Sequence, residues 1–221
     1  MNFDTSKNLG GVGALLIFVS VFIGPIASPF GGVLIALIGF IIMLIGVKGL
    51  ADYYKEAGIF NNILYGTIAG IVGVVVAIAV GIGVLLTSLS GFLYKIFPGW
   101  NGDWTTLPNL TPSTANLTFS DIIPFFVGAL AIIVILFAST IIVALLYRRS
   151  LSSLRNKSGI GLFGTAGILL LIGAILTIII IGYLLVWIAI LLLAVAFFQL
   201  RPQPVQPMPA AQTAVPPQTS V

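Results

Sequence analysis

Cysteine and histidine are both missing from the 221 residues, and charged residues make up only 6% of them. Without those two side chains the chain has no disulfide, no thiolate nucleophile, no Cys or His metal ligand and no imidazole proton shuttle. Ordinary soluble domains carry about 25% charged residues, so the scarcity of charge excludes a soluble globular protein. The five acids, Asp4, Asp52, Glu56, Asp103 and Asp121, all flank the apolar runs. No carboxylate is therefore placed for proton coupling, and no ladder of arginines suggests voltage sensing. No catalytic residue, metal site or cofactor is expected, and the reading is not an enzyme. The basic residues occupy membrane-flanking segments without interleaved aromatics, which argues against a nucleic-acid partner.

What the chain has is hydrophobic sequence, 59% of it. About 20 apolar residues cross a ~30 Å hydrocarbon core as a helix. The runs predict an all-α, polytopic membrane protein of about six helices, over about 9–27, 30–57, 62–97, 121–147, 160–179 and 183–200, forming one domain over 1–200. The first run, Leu9 to Ala27, is longer than the apolar part of a signal peptide and is followed at once by another span, so it is expected to be retained. Gly24-Pro25-Ile26-Ala27-Ser28-Pro29 marks the first turn. The third run is too long for one straight crossing. The crossing is placed at Ile63 to Leu86, with Thr87 to Phe97 as an extension at the outer interface. An outer loop, 98–120, carries Trp100 and Trp104.

Asp121 and Pro124 open the fourth helix, as an acid in the first turn and an early proline should. That helix is expected to end near Tyr147, with Ser150 to Ser158 as a polar linker. From Gly159 to Leu200 no charge occurs, and one helix of that length would measure about 60 Å. It must turn back, and Gly182 is the residue that eases the turn. The tail 201–221 has six prolines and no acid and is expected to be a disordered, solvated cytoplasmic chain.

Lys7, Lys48, Lys55, Arg148, Arg149, Arg155, Lys157 and Arg201 fall on one side of a six-helix arrangement, and Lys95 alone on the other. The side rich in lysine and arginine is expected to be cytoplasmic, with both termini there and the protein in the cell membrane. The opposite loop contains Asn109-Leu110-Thr111 and Asn116-Leu117-Thr118, two candidate glycosylation acceptors; Pro112 disfavours the first.

Ser20, Thr67, Ser139, Thr140, Thr165 and Thr177 are the polar residues within spans, and each hydroxyl is expected to bond back onto its own helix. Glycine is the strongest pattern. Gly66, Gly70, Gly73, Ala77 and Gly81 form one small-residue stripe on the third helix, and Gly32, Ala36, Gly39 and Gly46 form another on the second. Small residues let backbones approach closely, which is what holds helices together in lipid. Gly10-Gly11-Val12-Gly13 and Gly159-Ile160-Gly161 lack the Lys-Ser/Thr pair of a phosphate loop and read as flexible helix starts. Leu37-Ile38-Gly39 resembles Leu171-Ile172-Gly173 in the fifth helix, a faint echo of the inverted repeats of transporters.

The stretch from Leu37-Ile38-Gly39 through Gly46-Val47-Lys48-Gly49-Leu50-Ala51-Asp52-Tyr53-Tyr54, then Ile59-Phe60-Asn61-Asn62-Ile63-Leu64-Tyr65-Gly66, resembles a prokaryotic membrane-protein family, domain of unknown function 996. So do Gly173 to Thr177, Trp187 to Ala189 and Ala194 to Phe198. The resemblance implies a multi-pass membrane protein and brings no catalytic residue with it. Asp52, Tyr53, Tyr54, Lys55, Phe60, Asn61 and Asn62 gather polar and aromatic groups into one hairpin, the candidate interaction site. Its bland reading is an interfacial anchor in which Asp52 and Glu56 are neutralised by Lys48 and Lys55. The expected function is a structural or accessory component of a membrane complex, partnered by the lipid bilayer and by other membrane subunits or itself. The alternative is a small transporter or channel.

Overall fold

A computed structural model of the chain describes residues 1–27 and 30–202. Ser28, Pro29 and the proline-rich tail from residue 203 onward lie outside the described residues, and with them the expectations made there. The architecture is all-α: α1 (Phe3–Ala27), α2 (Gly31–Tyr53), α3 (Ala57–Ile96), α4 (Phe119–Ser158), α5 (Gly161–Ile175) and α6 (Ile181–Gln199). All six are long and apolar enough to cross a membrane, counting for α5 the single 3-10 turn Leu176–Ile178 that continues it. The chain is a multi-pass membrane protein.

Three boundaries differ from expectation. α1 begins at Phe3, so Gly10 to Gly13 lie inside a helix rather than at its start. Asp4 supports that early start, because an acid in the first turn meets the positive end of the helix dipole. α3 starts at Ala57, five residues ahead of the expected 62, and runs as one helix of 40 residues, about 60 Å long, through the expected extension. Its Thr87 does not break it, because the hydroxyl turns inward and donates to the Gly83 carbonyl. α4, also of 40 residues, runs through the supposed linker to Ser158. Ser150, Leu151 and Leu154 give that stretch a buried helical face, and it ends only at Gly159, whose φ of 76° is a left-handed helix stop.

Neighbours in sequence are neighbours in space, and α6 closes on α1. The six helices therefore form a ring of three hairpins. The α1–α2 and α5–α6 hairpins flank the longer α3–α4 hairpin, and the N-terminus and Arg201 meet at one end. The core at that end includes Leu50, Ile59, Leu154, Phe163 and Phe197, all under 2% exposed.

Glycines set the closest approaches. A Cβ on Gly46 would collide with the Gly10 backbone nitrogen and lie 2.7 Å from the Ser6 carbonyl; one on Gly39 would lie 2.8 Å from the Gly13 carbonyl. In the α5–α6 hairpin a Cβ on Gly173 would lie 3.0 Å from the Gly182 carbonyl. Gly182 itself sits in the first turn of α6, against the Thr177 and Gly173 backbone. The reversal is made by Leu176 to Ile180 ahead of it.

Candidate functional site

The α2–α3 turn brings the polar and aromatic block together at the basic end of the ring. α2 stops in a Schellman arrangement. The Glu56 N–H donates to the Ala51 carbonyl at 3.0 Å and the Lys55 N–H to Asp52 at 3.3 Å, with Lys55 in the left-handed region at φ 52°. Lys48 donates to Asp52 at 2.6 Å, four residues on, as the spacing requires. Glu56 does not pair with Lys55. Its partner is Lys157 at the end of α4, at 3.4 Å, because the left-handed turn faces Glu56 toward α4.

Tyr53 and Tyr54 pack on each other and on Phe3 of α1. The Tyr54 hydroxyl is buried and has no hydrogen-bond partner among the described residues. Burial, with Tyr53 beside it, pushes its pKa up to about 12, so it stays neutral at any physiological pH. Phe60 lies under the Lys48 ammonium, 5.6 Å from ring centroid to nitrogen. Asn61 is exposed and Asn62 half-buried. The block is thus an interlocked helix turn, with Asn61 and the outer edge of Tyr53 facing solvent or headgroups.

A second feature lies within the ring. An apolar cavity of about 240 Å³ is lined from all six helices, by Ile17, Phe40, Ile63, Val143, Leu170 and Ile190 among others. On its wall the Tyr147 hydroxyl lies 3.0 Å from the Thr67 hydroxyl, joining α4 to α3. Thr67 also donates to the Ile63 carbonyl, as Ser20, Ser139, Thr140 and Thr177 do to carbonyls three or four residues back. Ser20, Thr67, Ser139, Thr140 and Thr177 are thus engaged by their own helices, as expected.

On the α3 stripe, Gly66, Gly73 and Ala77 are buried, while Gly70 and Gly81 are half-buried. A Cβ on Gly66 would lie 2.8 Å from the Tyr147 ring and one on Gly73 would collide with Ser139, but one on Gly70 would meet only a Val143 methyl at 3.2 Å. On α2, Gly39 and Gly46 are buried and Gly32 and Ala36 half-buried. Asn109 and Asn116 are exposed in the loop at the far end. Its fold is set by Trp100, which is buried between Tyr94 and Trp104 and donates its indole N–H to the Asp103 carbonyl at 2.7 Å. Hydrogen bonds from Thr105 hold the Asp103 carboxyl below the usual carboxylate range.

The sequence profile of the family described as "Protein of unknown function (DUF996)" matches residues 35–191, from the second turn of α2 to the middle of α6. The chain belongs to this family. An uncharacterized protein of Methanocaldococcus jannaschii is 25% identical over 200 residues, covering 90% of this chain and 94% of that one. No solved structure matches. The stretch matched by the DUF996 profile includes the whole α2–α3 turn and all of α3, α4 and α5.

Two sets of residues with clear structural roles escape a reading of the sequence. Ser6, Gly10 and Gly13 form the α1 side of the closest helix contact, at the same small-residue spacing seen on α2 and α3. The signal was present and hidden by the polar start. Ser150, fully buried, donates to the Ile59 carbonyl of α3 across 91 residues of sequence. No local pattern marks such a bond.

Proposed function

We propose that this DUF996 protein is a non-enzymatic accessory component of a membrane complex, with the α3–α4 hairpin as its docking element. The carrying observation is the mismatch in helix length. The tip of the α5–α6 hairpin lies beside Ile133, Leu136 and Phe137 of α4. From there α4 continues to Phe119, roughly 20 Å further. Leu85 and Leu86 of α3 and Phe126, Val127 and Leu130 of α4 are exposed on this extension, where the four shorter helices have ended. A bare pair of helices leaves its packing faces to lipid, and transmembrane helices of a partner subunit are the surface that fits them.

The bundle end holding Lys7, Lys48, Lys55, Arg148, Arg149, Arg155, Lys157 and Arg201 is assigned to the cytoplasm, and the loop holding Asn109 and Asn116 to the outside. Arg148 and Arg149 sit on α4 opposite Gly167, inward of the first residue of α5 by about 9 Å. Both are exposed, and their long stems let the guanidinium groups reach the headgroup level.

A photoreactive residue at Leu130 should give discrete protein adducts in native membranes, whereas one at Val33 on α2 should give lipid adducts alone. Lipid adducts at both positions would remove the docking reading. The second reading, a small transporter or channel, is supported by the cavity that all six helices line. Solute flux in liposomes containing the pure protein, abolished by filling that cavity with Val143→Phe, would favour it over the first.

A further inference from the structure

Among the described residues a cavity of about 540 Å³ lies at the basic end of the ring, where the start of α1 meets the α4–α5 junction and the end of α6. We propose that it holds the phosphate headgroup of an anionic phospholipid drawn from the leaflet at that end.

Lys7 and Arg201 both line it, with Ser158 and Gln199 as its other polar residues. No carboxylate lines it. Lys7 and Arg201 make no ion pair with a described residue, as is also true of Lys55, Arg148, Arg149 and Arg155; what sets the two apart is that they line one cavity. Two like charges converging on one cavity repel, and an anion between them relieves that repulsion.

The backbone adds donors. α5 begins at Gly161 without a side-chain cap, so its first-turn N–H groups are unclaimed by any side chain there. The Gly159 and Ile160 N–H groups are already bonded, to the Arg155 carbonyl and the Ser158 hydroxyl, so the donors left at this helix start are those of the first turn of α5 itself.

The remaining wall selects lipid over free phosphate. Ile160, Phe198 and Leu200 line the cavity beside the cations, and the Phe198 ring is 42% exposed. A soluble anion has no use for that surface, but a phospholipid presents a charged head joined to an apolar chain. Basic pockets between helices at this depth are suited to such headgroups.

The test uses the full chain in a neutral detergent, titrated with a fluorescent short-chain phosphatidylglycerol and with the matching phosphatidylcholine. Phosphatidylglycerol should bind saturably and phosphatidylcholine should not. The double variant Lys7→Gln/Arg201→Gln should weaken binding about twenty-fivefold, the product of about fivefold for each cation. Arg149→Gln, which removes an exposed cation elsewhere on the same end, should change it less than about twofold. The charge-preserving pair Lys7→Arg/Arg201→Lys should bind like the parent, which separates loss of charge from loss of fold. Equal binding of the two lipids, an unaffected double Gln variant, or full displacement by excess inorganic phosphate would overturn the proposal.

Discussion

Gly46→Ala should destabilise the protein by about 3 kcal/mol, a fall in melting temperature of roughly 6–12 °C in detergent. The added methyl has backbone on its far side: the Gly10 nitrogen, the Gly10 Cα at 2.8 Å and the Ser6 carbonyl at 2.7 Å. Backbone cannot rotate out of the way, so α1 and α2 must separate along their whole contact. The comparison set is what gives the result meaning. Alanine favours a helix over glycine by about 1 kcal/mol, so Gly83→Ala, with nothing within 4 Å, should be neutral or stabilising. Gly70→Ala meets one Val143 methyl at 3.2 Å, a group that can shift, and the two effects should nearly cancel. Gly73→Ala should fall between Gly70→Ala and Gly46→Ala, because the obstructing Ser139 is a side chain but a buttressed one whose hydroxyl bonds to Ile135. A Gly46→Ala protein that melts like the parent would mean that the α1–α2 backbones are not in contact.

Phe197→Ala should cost about 3–5 kcal/mol, the range for emptying a buried aromatic site. Phe197 is fully buried, packs edge-on to Phe163 of α5 with centroids 5.3 Å apart, and covers the face of Gly10 on α1. One ring thus joins α6 to both its neighbours and closes the ring of helices. In lipid the hydrophobic effect between helices is weak, so the loss is mainly of packing contacts, which no single neighbour can restore. Phe126→Ala on the outer half of α4, where the ring is exposed, should change the melting temperature little in the isolated protein. Equal losses for the two variants would show that the closure of α6 on α1 adds nothing to stability.

The division of the sequence into membrane helices was readable because each crossing must satisfy its own backbone and bury its length in hydrocarbon, which leaves a local signal of about 20 apolar residues. Local pairs were readable for the same reason: Lys48 and Asp52 are four apart on one helix face, and they meet. What sequence alone concealed depends on the ring. The residues after Arg149 looked like a linker because they are polar, yet Leu151 and Leu154 are three apart and their burial requires α4 to continue beside α3 and α5. The Glu56–Lys157 pair and the Ser150–Ile59 bond join positions roughly a hundred residues apart. The turn between α5 and α6 is made of Leu, Thr and Ile, residues that carry no turn signal, and Gly182 serves close packing after the turn. Of the candidate sites, the α2–α3 block was visible as a motif, whereas the cavity within the ring and the basic pocket exist only once distant helices meet.

The most direct test of the account is which end of the ring faces the cytoplasm. The absence of cysteine makes single-cysteine labelling clean. Thr114→Cys lies in the exposed loop at one end and Asn156→Cys on the exposed face of α4 at the other. A membrane-impermeant maleimide applied to intact cells should modify Thr114→Cys at once and Asn156→Cys only after the membrane is opened. Labelling of Asn156→Cys in intact cells with Thr114→Cys protected would contradict the orientation, and labelling of both from one side would contradict the six-helix crossing itself.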